Sequence, residues 1–314
     1  MSGRRSTQLE SCIHRHEKDS RPRGLDPMAL SDSYQLLDFG DGRRLEQFGP
    51  LRIDRPCPGT ERIPRAEPDL WPSADARFTG TSANAGRWEC RRELPERWAI
   101  RLGAIGLELK RCESGHVGMF PEQAENWDWL AAQVRSAGGP VRVLNLFAYT
   151  GGSTLACAAA GAEVVHVDAA RNVVDWARGN AELSGLAAAP IRWIAEDAVK
   201  FARREVKRAN RYNAVILDPP SYGHGTHGEV WRLSQHLPRL LATCAELTAA
   251  RCRFVLLSCH TPGYDPARLE AMLRESFSGR NEGRFSSNVM VLRTPAGREL
   301  RSGAVARREC EARG

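Results

Sequence analysis

One stretch of the sequence, residues 141–168, constrains the fold more than any other. It begins with the apolar run Val141–Phe147, which predicts a buried strand. The segment Tyr149-Thr150-Gly151-Gly152 follows as a turn, and its two glycines permit positive φ angles and the close approach of a ligand. A second apolar run, Ala162–Val167, ends on Asp168. The stretch therefore predicts two strands that place a glycine turn and an acid at their carboxyl ends.

The residues between the two apolar runs predict a helix. They are rich in alanine, with Ser153 or Thr154 as the N-cap and Gly161 as the terminating residue. A strand, glycine turn, helix, strand and acid in this order is the plan of a nucleoside-binding domain with a parallel sheet. In such a domain the acid, here Asp168, accepts hydrogen bonds from the ribose hydroxyls. A βαβ unit without a ligand is the alternative interpretation.

The glycine pattern restricts which nucleoside would bind. The turn at residues 149–152, which follows the first predicted strand, carries neither the dinucleotide fingerprint G-x-G-x-x-G nor the phosphate loop G-x-x-x-x-G-K-[ST]. A pyrophosphate group would need one of these cradles, whereas adenosylmethionine carries no phosphate and tolerates a looser turn. The pattern therefore favours adenosylmethionine.

A later strand ends in a second motif. The run Tyr212–Leu217 predicts a buried parallel strand, and Asp218-Pro219-Pro220-Ser221-Tyr222 follows it. The prolines stiffen the turn and leave carbonyl groups without local partners. Because the carboxyl end of a central strand lies in the ligand crevice, we expect Asp218 and a carbonyl to hold a flipped-out base, with Tyr222 stacked on it. A strand end capped by prolines is the alternative.

Together, N-L-F-A-Y-T-G-G (residues 145–152) and D-P-P-S-Y (residues 218–222) resemble the class I S-adenosylmethionine-dependent methyltransferases. More closely, they resemble the 23S ribosomal RNA methyltransferases that act on cytosine carbon-5 or guanine nitrogen-7. The resemblance covers about residues 115–310. It implies an α/β, Rossmann-like domain with a seven-stranded, mostly parallel sheet, S-adenosyl-L-methionine as the cofactor and RNA, ribosomal in origin, as the partner.

The resemblance also assigns roles to individual residues. The residues that it places at the cofactor are Phe120, Gln123, Asn145, Phe147, Tyr149, Thr150, Gly151, Gly152, Asp168, Asp197 and Asp218. It places Pro219, Pro220 and Tyr222 at the substrate, and gives Asp218 a catalytic role as well. Phe120 and Gln123 could instead belong to a linker and packing helix. Asp197 could contact the adenine amino group or cap the next helix, and one side chain could do both.

Cys259 is the second catalytic candidate. It leaves the predicted strand Arg253–Leu257 for a polar turn, whereas Cys157, Cys244 and Cys252 read as core residues. In the resembling family, a cysteine at this position is the nucleophile of the carbon-5 enzymes. Its thiolate would add to carbon-6 and so activate carbon-5, which requires a lowered pKa. Guanine nitrogen-7 has a free lone pair and needs no cysteine nucleophile, so a purely structural Cys259 would fit the nitrogen-7 enzymes.

The chain before residue 116 differs in its distribution of apolar, basic and turn residues. Residues 1–27 are basic and poor in apolar residues, which predicts a disordered tail, although Met28 could also be the true start. Residues 28–115 alternate short apolar clusters with turn residues, including Asp41-Gly42, and predict a small β-rich domain. The methyltransferase domain is then expected over residues 116–314. No RNA-binding module is obvious in the first 110 residues.

Composition narrows the remaining alternatives. A net charge of +7 over 314 residues favours an anionic partner such as RNA. The nine cysteines show no C-x-x-C spacing, so we expect no metal site and a reducing cytoplasm. No apolar run is long enough for a membrane span. Other functions left open are guanine-N7 methylation, methylation of a protein or small molecule, and nucleoside binding without catalysis.

Overall fold

The computed structural model describes residues 34–80, 86–224, 230–249, 252–277 and 283–310. The predicted basic tail, residues 1–27, therefore lies outside the described residues, as does most of the predicted loop that follows Gly223.

The first unit is a five-stranded sheet in the order β1-β2-β3-β4-β5. Its strands are β1 (Tyr34–Gly40), β2 (Arg43–Phe48), β3 (Leu51–Pro56), β4 (Ala76–Thr79) and β5 (Arg87–Cys90). Asp41 and Gly42 join β1 to β2 with φ angles of 50° and 72°, the conformation of a tight hairpin turn. That hairpin was predicted. A second turn, at Gly49 (φ 59°), separates β2 from β3.

A separate hairpin, β6 (Arg97–Leu102) and β7 (Ile105–Lys110), packs on the larger unit. The Glu108 N–H donates to Asn180 Oδ1 at 2.8 Å, and Trp176 Nε1 donates to the Glu108 carbonyl at 3.0 Å. At Gly106 a Cβ would lie 2.9 Å from the Leu183 carbonyl oxygen, so glycine permits this close approach. The hairpin thus lies within residues 28–115 of the sequence, but it packs against the helix Arg171–Leu183 of the larger unit. The domain boundary at residue 115 stays a prediction.

The second unit is a seven-stranded sheet in the order β10-β9-β8-β11-β14-β16-β15. Its strands are β8 (Arg142–Leu146), β9 (Glu163–Asp168), β10 (Ile191–Ala195), β11 (Ala214–Leu217), β14 (Phe254–Cys259), β15 (Arg284–Arg293) and β16 (Glu299–Glu309). The first five strands are parallel, and β16 is antiparallel to both of its neighbours. A short hairpin, β12 (Tyr222–His224) and β13 (Val230–Arg232), lies outside the sheet. The predicted class I architecture is confirmed.

Helices cover both faces of this sheet. They are α1 (Ala124–Arg135), α2 (Gly152–Ala159), α3 (Arg171–Leu183), α4 (Ala198–Lys207), α5 (Leu233–Thr248) and α6 (Pro266–Phe277). Alternate strand residues enter two different cores: Val143 packs with α1 and α2, whereas Leu144 packs with α4 and α5. Among the described helices, none is long and apolar enough to cross a membrane.

The predicted start of α2 differs from the structure. Helix α2 begins at Gly152 without a side-chain cap, so neither Ser153 nor Thr154 is its N-cap; Gly151 takes that position with φ 94°. Asp197 does cap α4, one of the two roles that the sequence left open for it, since its Oδ1 accepts from the Lys200 N–H at 2.8 Å.

Candidate active site

The carboxyl ends of β8, β9, β11 and β14 lie side by side at one edge of the large sheet. From β8 the chain continues outward through β9 and β10, and it then returns to place β11 and β14 on the other side of β8. Such a change of direction opens a crevice between neighbouring loops. The glycine turn follows β8, Asp168 ends β9 and Asp218 follows β11, so the three sequence features meet at this crevice.

The turn after β8 contains three residues with positive φ. These are Phe147 (57°), Tyr149 (47°) and Gly151 (94°). Positive φ is uncommon in residues other than glycine and costs on the order of 1 kcal/mol or more, so it is found where the surroundings enforce it. Here the Thr150 hydroxyl donates to the Gly118 carbonyl at 2.7 Å, and Asn180 Nδ2 donates to the Thr150 carbonyl at 2.9 Å. These bonds hold the turn in its unusual conformation.

The two glycines of the turn act differently. Gly151 has the positive φ that was expected, whereas Gly152 starts α2. A Cβ on Gly152 would lie 2.3 Å from Cζ2 of Trp127, which is closer than any real contact. Gly152 therefore allows α2 to pack directly against α1.

Asp168 is held by the backbone that surrounds it. Its Oδ2 accepts from the Tyr149 N–H at 2.9 Å, and its Oδ1 accepts from the Ala170 N–H at 3.0 Å. Burial raises the pKa of Asp168, although the backbone hydrogen bonds oppose the shift. A carboxylate offers about four acceptor positions, so two remain for a ligand with two hydroxyl groups.

A buried polar chain lies beneath the turn. Asn145 Nδ2 donates to Thr154 Oγ1 at 2.9 Å, and that hydroxyl lies 2.9 Å from His166 Nδ1. Complete burial lowers the pKa of His166 to about 3, so the imidazole is neutral. Asn145 thus ties β8 to α2 and β9 at the floor of the cavity.

Asp218 is fixed by two other elements. Gln123 Nε2 donates to Asp218 Oδ2 at 3.0 Å and to Ser258 Oγ at 3.1 Å. The Ser258 hydroxyl lies 2.8 Å from Asp218 Oδ1, and Asn126 Nδ2 donates to Gln123 Oε1 at 2.7 Å. The carboxylate is therefore oriented before any ligand arrives.

His260 stands beside this carboxylate. Its Nε2 lies 3.7 Å from Asp218 Oδ1, and its Nδ1 lies 2.7 Å from the Ser302 carbonyl oxygen and 3.6 Å from Glu122 Oε1. The Phe120 ring lies 5.9 Å from the imidazole, measured between centroids.

These residues surround a cleft of about 430 Å³ and an adjoining narrow cavity of about 40 Å³. The predicted residues in the wall of the cleft are Phe120, Phe147, Tyr149, Asp168, Asp197, Asp218, Pro219 and Pro220. Those in the wall of the narrow cavity include Gln123, Asn145, Thr150, Gly151 and Gly152. The structure thus brings together all but two of the residues that the sequence singled out, and their individual roles stay predictions.

Tyr222 is one of the two exceptions. It lies in β12, is 52% exposed and contributes to neither cavity wall. Trp231 of β13 lines the cleft instead, packs 4.9 Å from Phe147 and donates from Nε1 to the Pro220 carbonyl at 2.7 Å. The expectation that the proline carbonyls lack local partners is therefore wrong for Pro220.

Cys259 is the other exception. It is the last residue of β14, not part of the following turn, and it is 1% exposed. Alternation along β14 turns Ser258 toward Gln123, whereas Cys259 packs with Leu257 in the core under α5 and α6. Burial raises the pKa of the Cys259 thiol, with the Thr261 N–H at 3.4 Å from Sγ opposing the shift. The expected lowered pKa is thus contradicted, and the nucleophile role stays a prediction.

Further residues of the cavity walls were not assigned from the sequence. Among them are His116, Trp231, His260 and Thr261 in the cleft and Ser258 in the narrow cavity. Ser258 could have been found by its place at a strand end beside Cys259. Trp231 could not, because its run reads as the start of a helix.

A family model described as S-adenosylmethionine-dependent methyltransferase matches residues 76–283, about two thirds of the chain. The chain belongs to this family. An Agrobacterium tumefaciens SAM-dependent methyltransferase has 39% identity and a TM-score of 0.85, with 90% of this chain and 91% of that chain covered. A structure complexed with SAH has 18% identity and a TM-score of 0.72, with 90% and 76% covered, and it supports the fold alone.

Among curated relatives of this methyltransferase is ribosomal RNA large subunit methyltransferase I of Aeromonas hydrophila. It is 35% identical over 111 residues, which are 35% of this chain. The match spans only 27% of that relative's length.

The methyltransferase cavity suits the cofactor of the family. Asp168 retains acceptor capacity for two ribose hydroxyls, and Asp197 lies on the cleft wall at the end of the next strand, where an adenine amino group would need an acceptor. The glycine turn offers close approach without a phosphate cradle, which matches a nucleoside that carries a sulfonium group instead of phosphates. The residues present therefore fit S-adenosylmethionine.

Proposed function

We propose that this methyltransferase modifies a base of RNA, with cytosine carbon-5 in large-subunit ribosomal RNA as the target. The observation that carries the proposal is the Asp218 carboxylate, oriented by Gln123 and Ser258 at the wall of the cleft. Bound S-adenosylmethionine would supply a methyl group on a positively charged sulfur, which an electron-rich atom can take.

Asp218 suits a base that presents an amino group. Cytosine offers a hydrogen-bond donor at its exocyclic nitrogen, and a carboxylate with both oxygens already oriented can accept from it. Because the neighbouring residues already hold Asp218, little side-chain entropy would be lost on binding. The base would be gripped at the end of β11, next to the cofactor site.

Aromatic side chains provide faces on which an extruded base could stack. Phe120 and Tyr149 lie 5.3 Å apart, and Phe147 and Trp231 lie 4.9 Å apart, measured between ring centroids. All four line the cleft. Enzymes that act on a nucleic-acid base take it out of the stack and hold it between such side chains. These four rings, rather than the predicted Tyr222, are therefore the side chains on which we propose that the base stacks.

The relatives and the charge balance support RNA as the polymer. The curated relatives are named for large-subunit ribosomal RNA, and this chain carries a net charge of +7. Helix α4 carries Lys200, Arg203, Arg204 and Lys207, and because Arg204 pairs with Glu196, part of this positive charge is neutralised within the protein. RNA in the large ribosomal subunit is our proposed partner, and the cytoplasm is our proposed location because that RNA is found there.

The choice between carbon-5 and nitrogen-7 depends on Cys259. Carbon-5 methylation needs the thiolate, and Cys259 is adjacent to the cleft residues His260 and Thr261. Guanine nitrogen-7 is the second candidate, favoured by the burial and raised pKa of the thiol. In the carbon-5 reaction Cys259 must come to the cleft surface when substrate binds.

Nucleoside mass spectrometry after incubation with large-subunit ribosomal RNA and labelled S-adenosylmethionine tests the proposal. We expect 5-methylcytosine from the wild type. Cys259→Ser should retain cofactor affinity and lose methyl transfer, whereas Cys90→Ser, an exposed position on β5, should behave as wild type. A 7-methylguanine product would select the second candidate, and methylation of protein alone would reject both.

A further inference from the structure

The geometry points to His260 as the general base that removes the carbon-5 proton of the target cytosine. This inference rests on the proposed function and deepens it, because the reaction needs a base that the cofactor and Cys259 do not provide. Methyl transfer leaves carbon-5 with both a methyl group and a hydrogen, and the hydrogen must depart before the product forms.

The tautomer of His260 follows from one hydrogen bond. Nδ1 lies 2.7 Å from the carbonyl oxygen of Ser302. A carbonyl oxygen can only accept, so in the neutral ring Nδ1 carries the hydrogen and Nε2 carries the lone pair. The main chain of β16 thus prepares Nε2 as a proton acceptor.

Among the described residues, no hydrogen bond to Nε2 is found, so its lone pair is available at the cleft. His260 lines the cleft and its side chain is 36% exposed. Its Nε2 lies 3.7 Å from Asp218 Oδ1, which exceeds hydrogen-bond distance. A base held by Asp218 would therefore lie close to Nε2, since the two groups flank the same part of the cleft.

The groups around His260 suit a ring that becomes charged. Glu122 Oε1 lies 3.6 Å from Nδ1 on one side, and Asp218 Oδ1 lies 3.7 Å from Nε2 on the other. His116 also lines the cleft, and burial together with nearby arginines lowers its pKa to about 4, so its ring is neutral. Two carboxyl groups stabilise the imidazolium that forms when the proton is taken. At Gly303 a Cβ would lie 3.0 Å from Nδ1, so glycine at this position lets β16 hold the ring.

The proton transfer balances as follows. The carbon-5–hydrogen bond breaks and the proton moves to Nε2, while its electron pair forms the double bond between carbon-5 and carbon-6. The bond between carbon-6 and the Cys259 sulfur then breaks, and its electron pair leaves with the sulfur as a thiolate. His260 returns the proton to solvent, and no oxidant or reductant takes part.

Tritium release from RNA labelled at cytosine carbon-5 measures this step. The wild type should release one tritium for each methyl group transferred. In His260→Gln an amide can still donate to the Ser302 carbonyl but no basic lone pair remains, so release should fall by about 10²–10⁴-fold. A covalent complex between Cys259 and unsubstituted RNA should then accumulate, because methyl transfer precedes the missing step.

His260→Ala should show the same loss, and added imidazole should restore part of its tritium release. If His260 only holds β16 in place, His260→Gln would release tritium at the wild-type rate and form no complex, which overturns the inference. Thermal melting of both variants checks that each is folded. A wild type that makes 7-methylguanine rejects the proposed function and this inference together, whereas 5-methylcytosine with an active glutamine variant rejects the inference alone.

Discussion

Asp168 ends β9 with two of its acceptor positions already used by the N–H groups of Tyr149 and Ala170. The same carboxylate therefore stabilises the glycine turn and keeps acceptor positions for the hydroxyls of a ribose. The sequence could predict this acid because it follows an apolar run directly. It could not predict that the turn holds the acid, since the positive φ angles fall on Phe147 and Tyr149 as well as on Gly151.

Replacement of Asp168 by Asn tests this dual role. The amide group would turn a donor toward one of the two backbone N–H groups and would lose the charge that strengthens bonds to ribose hydroxyls. Charged hydrogen bonds contribute about 1.5–3 kcal/mol, so we expect affinity for S-adenosylmethionine to fall at least about tenfold by titration calorimetry. Glu163→Gln, at the exposed start of the same strand, should bind normally. Equal affinities for the two variants would contradict the assignment.

The burial of the Cys259 thiol predicts how fast this residue reacts with an alkylating reagent. Burial raises its pKa, so near neutral pH less of it is thiolate than for an ordinary cysteine. In the free protein we expect iodoacetamide to alkylate Cys259 much more slowly than the exposed Cys90, with a rate that rises as the pH is raised. Peptide mass mapping over time gives both rates. If Cys259 reacts first, the thiol is already accessible and activated without substrate.

At the scale of elements, α2 and α1 meet where the cofactor turn ends. Gly152 is the first residue of α2, and the Trp127 ring of α1 occupies the space that a side chain there would need. The sequence predicted α2 from its alanine-rich composition, a packing helix at the position of α1, and the glycine from the motif. From the sequence, Gly152 was assigned to the conformational freedom of the turn. In the structure, the packing of α2 against α1 is what requires glycine at this position. This requirement could not be predicted, because a contact between distant segments leaves no local sequence pattern.

A matched pair of alanine substitutions separates these two reasons. Gly152→Ala should destabilise the protein and weaken cofactor binding, because its Cβ would overlap Trp127. Gly179→Ala lies within α3 with open space around it, so the better helix former should stabilise the protein by about 0.5–1 kcal/mol. Urea unfolding measures both changes. Two changes of the same sign would contradict the packing argument.

At the scale of the whole molecule, the five-stranded sheet is fastened to the far edge of the large sheet. Asp38 of β1 is 1% exposed and pairs with Arg298, which lies in the turn between β15 and β16, at 2.6 Å. Trp71 Nε1 also donates to Asp38 at 2.9 Å. The pairing of Asp38 with Arg298 could not be predicted from the sequence, because isolated Asp and Arg residues carry no sign of a partner 260 residues away.

The last prediction concerns this connection. Desolvation raises the pKa of Asp38, but hydrogen bonds from Trp71, Glu67 and Ala66 outweigh it, so the pKa lies below its usual value. Asp38→Ala leaves these donors and Arg298 without their acceptor, and should lower the free energy of unfolding by on the order of 3 kcal/mol. A group with a depressed pKa stabilises the fold above its unfolded-state pKa. The difference between wild type and variant should therefore shrink only as the pH falls below the ordinary aspartate range.

Denaturant unfolding at several pH values measures that difference. Arg293→Ala serves as the matched control, because its pair with Glu299 in the same hairpin is more than half exposed on both sides and contributes about 0–1 kcal/mol. If the Asp38 connection holds the five-stranded sheet to the large sheet, the wild type unfolds in one transition and Asp38→Ala unfolds in two, the smaller sheet first. A single transition with an unchanged midpoint in Asp38→Ala would show that other contacts hold the two sheets together.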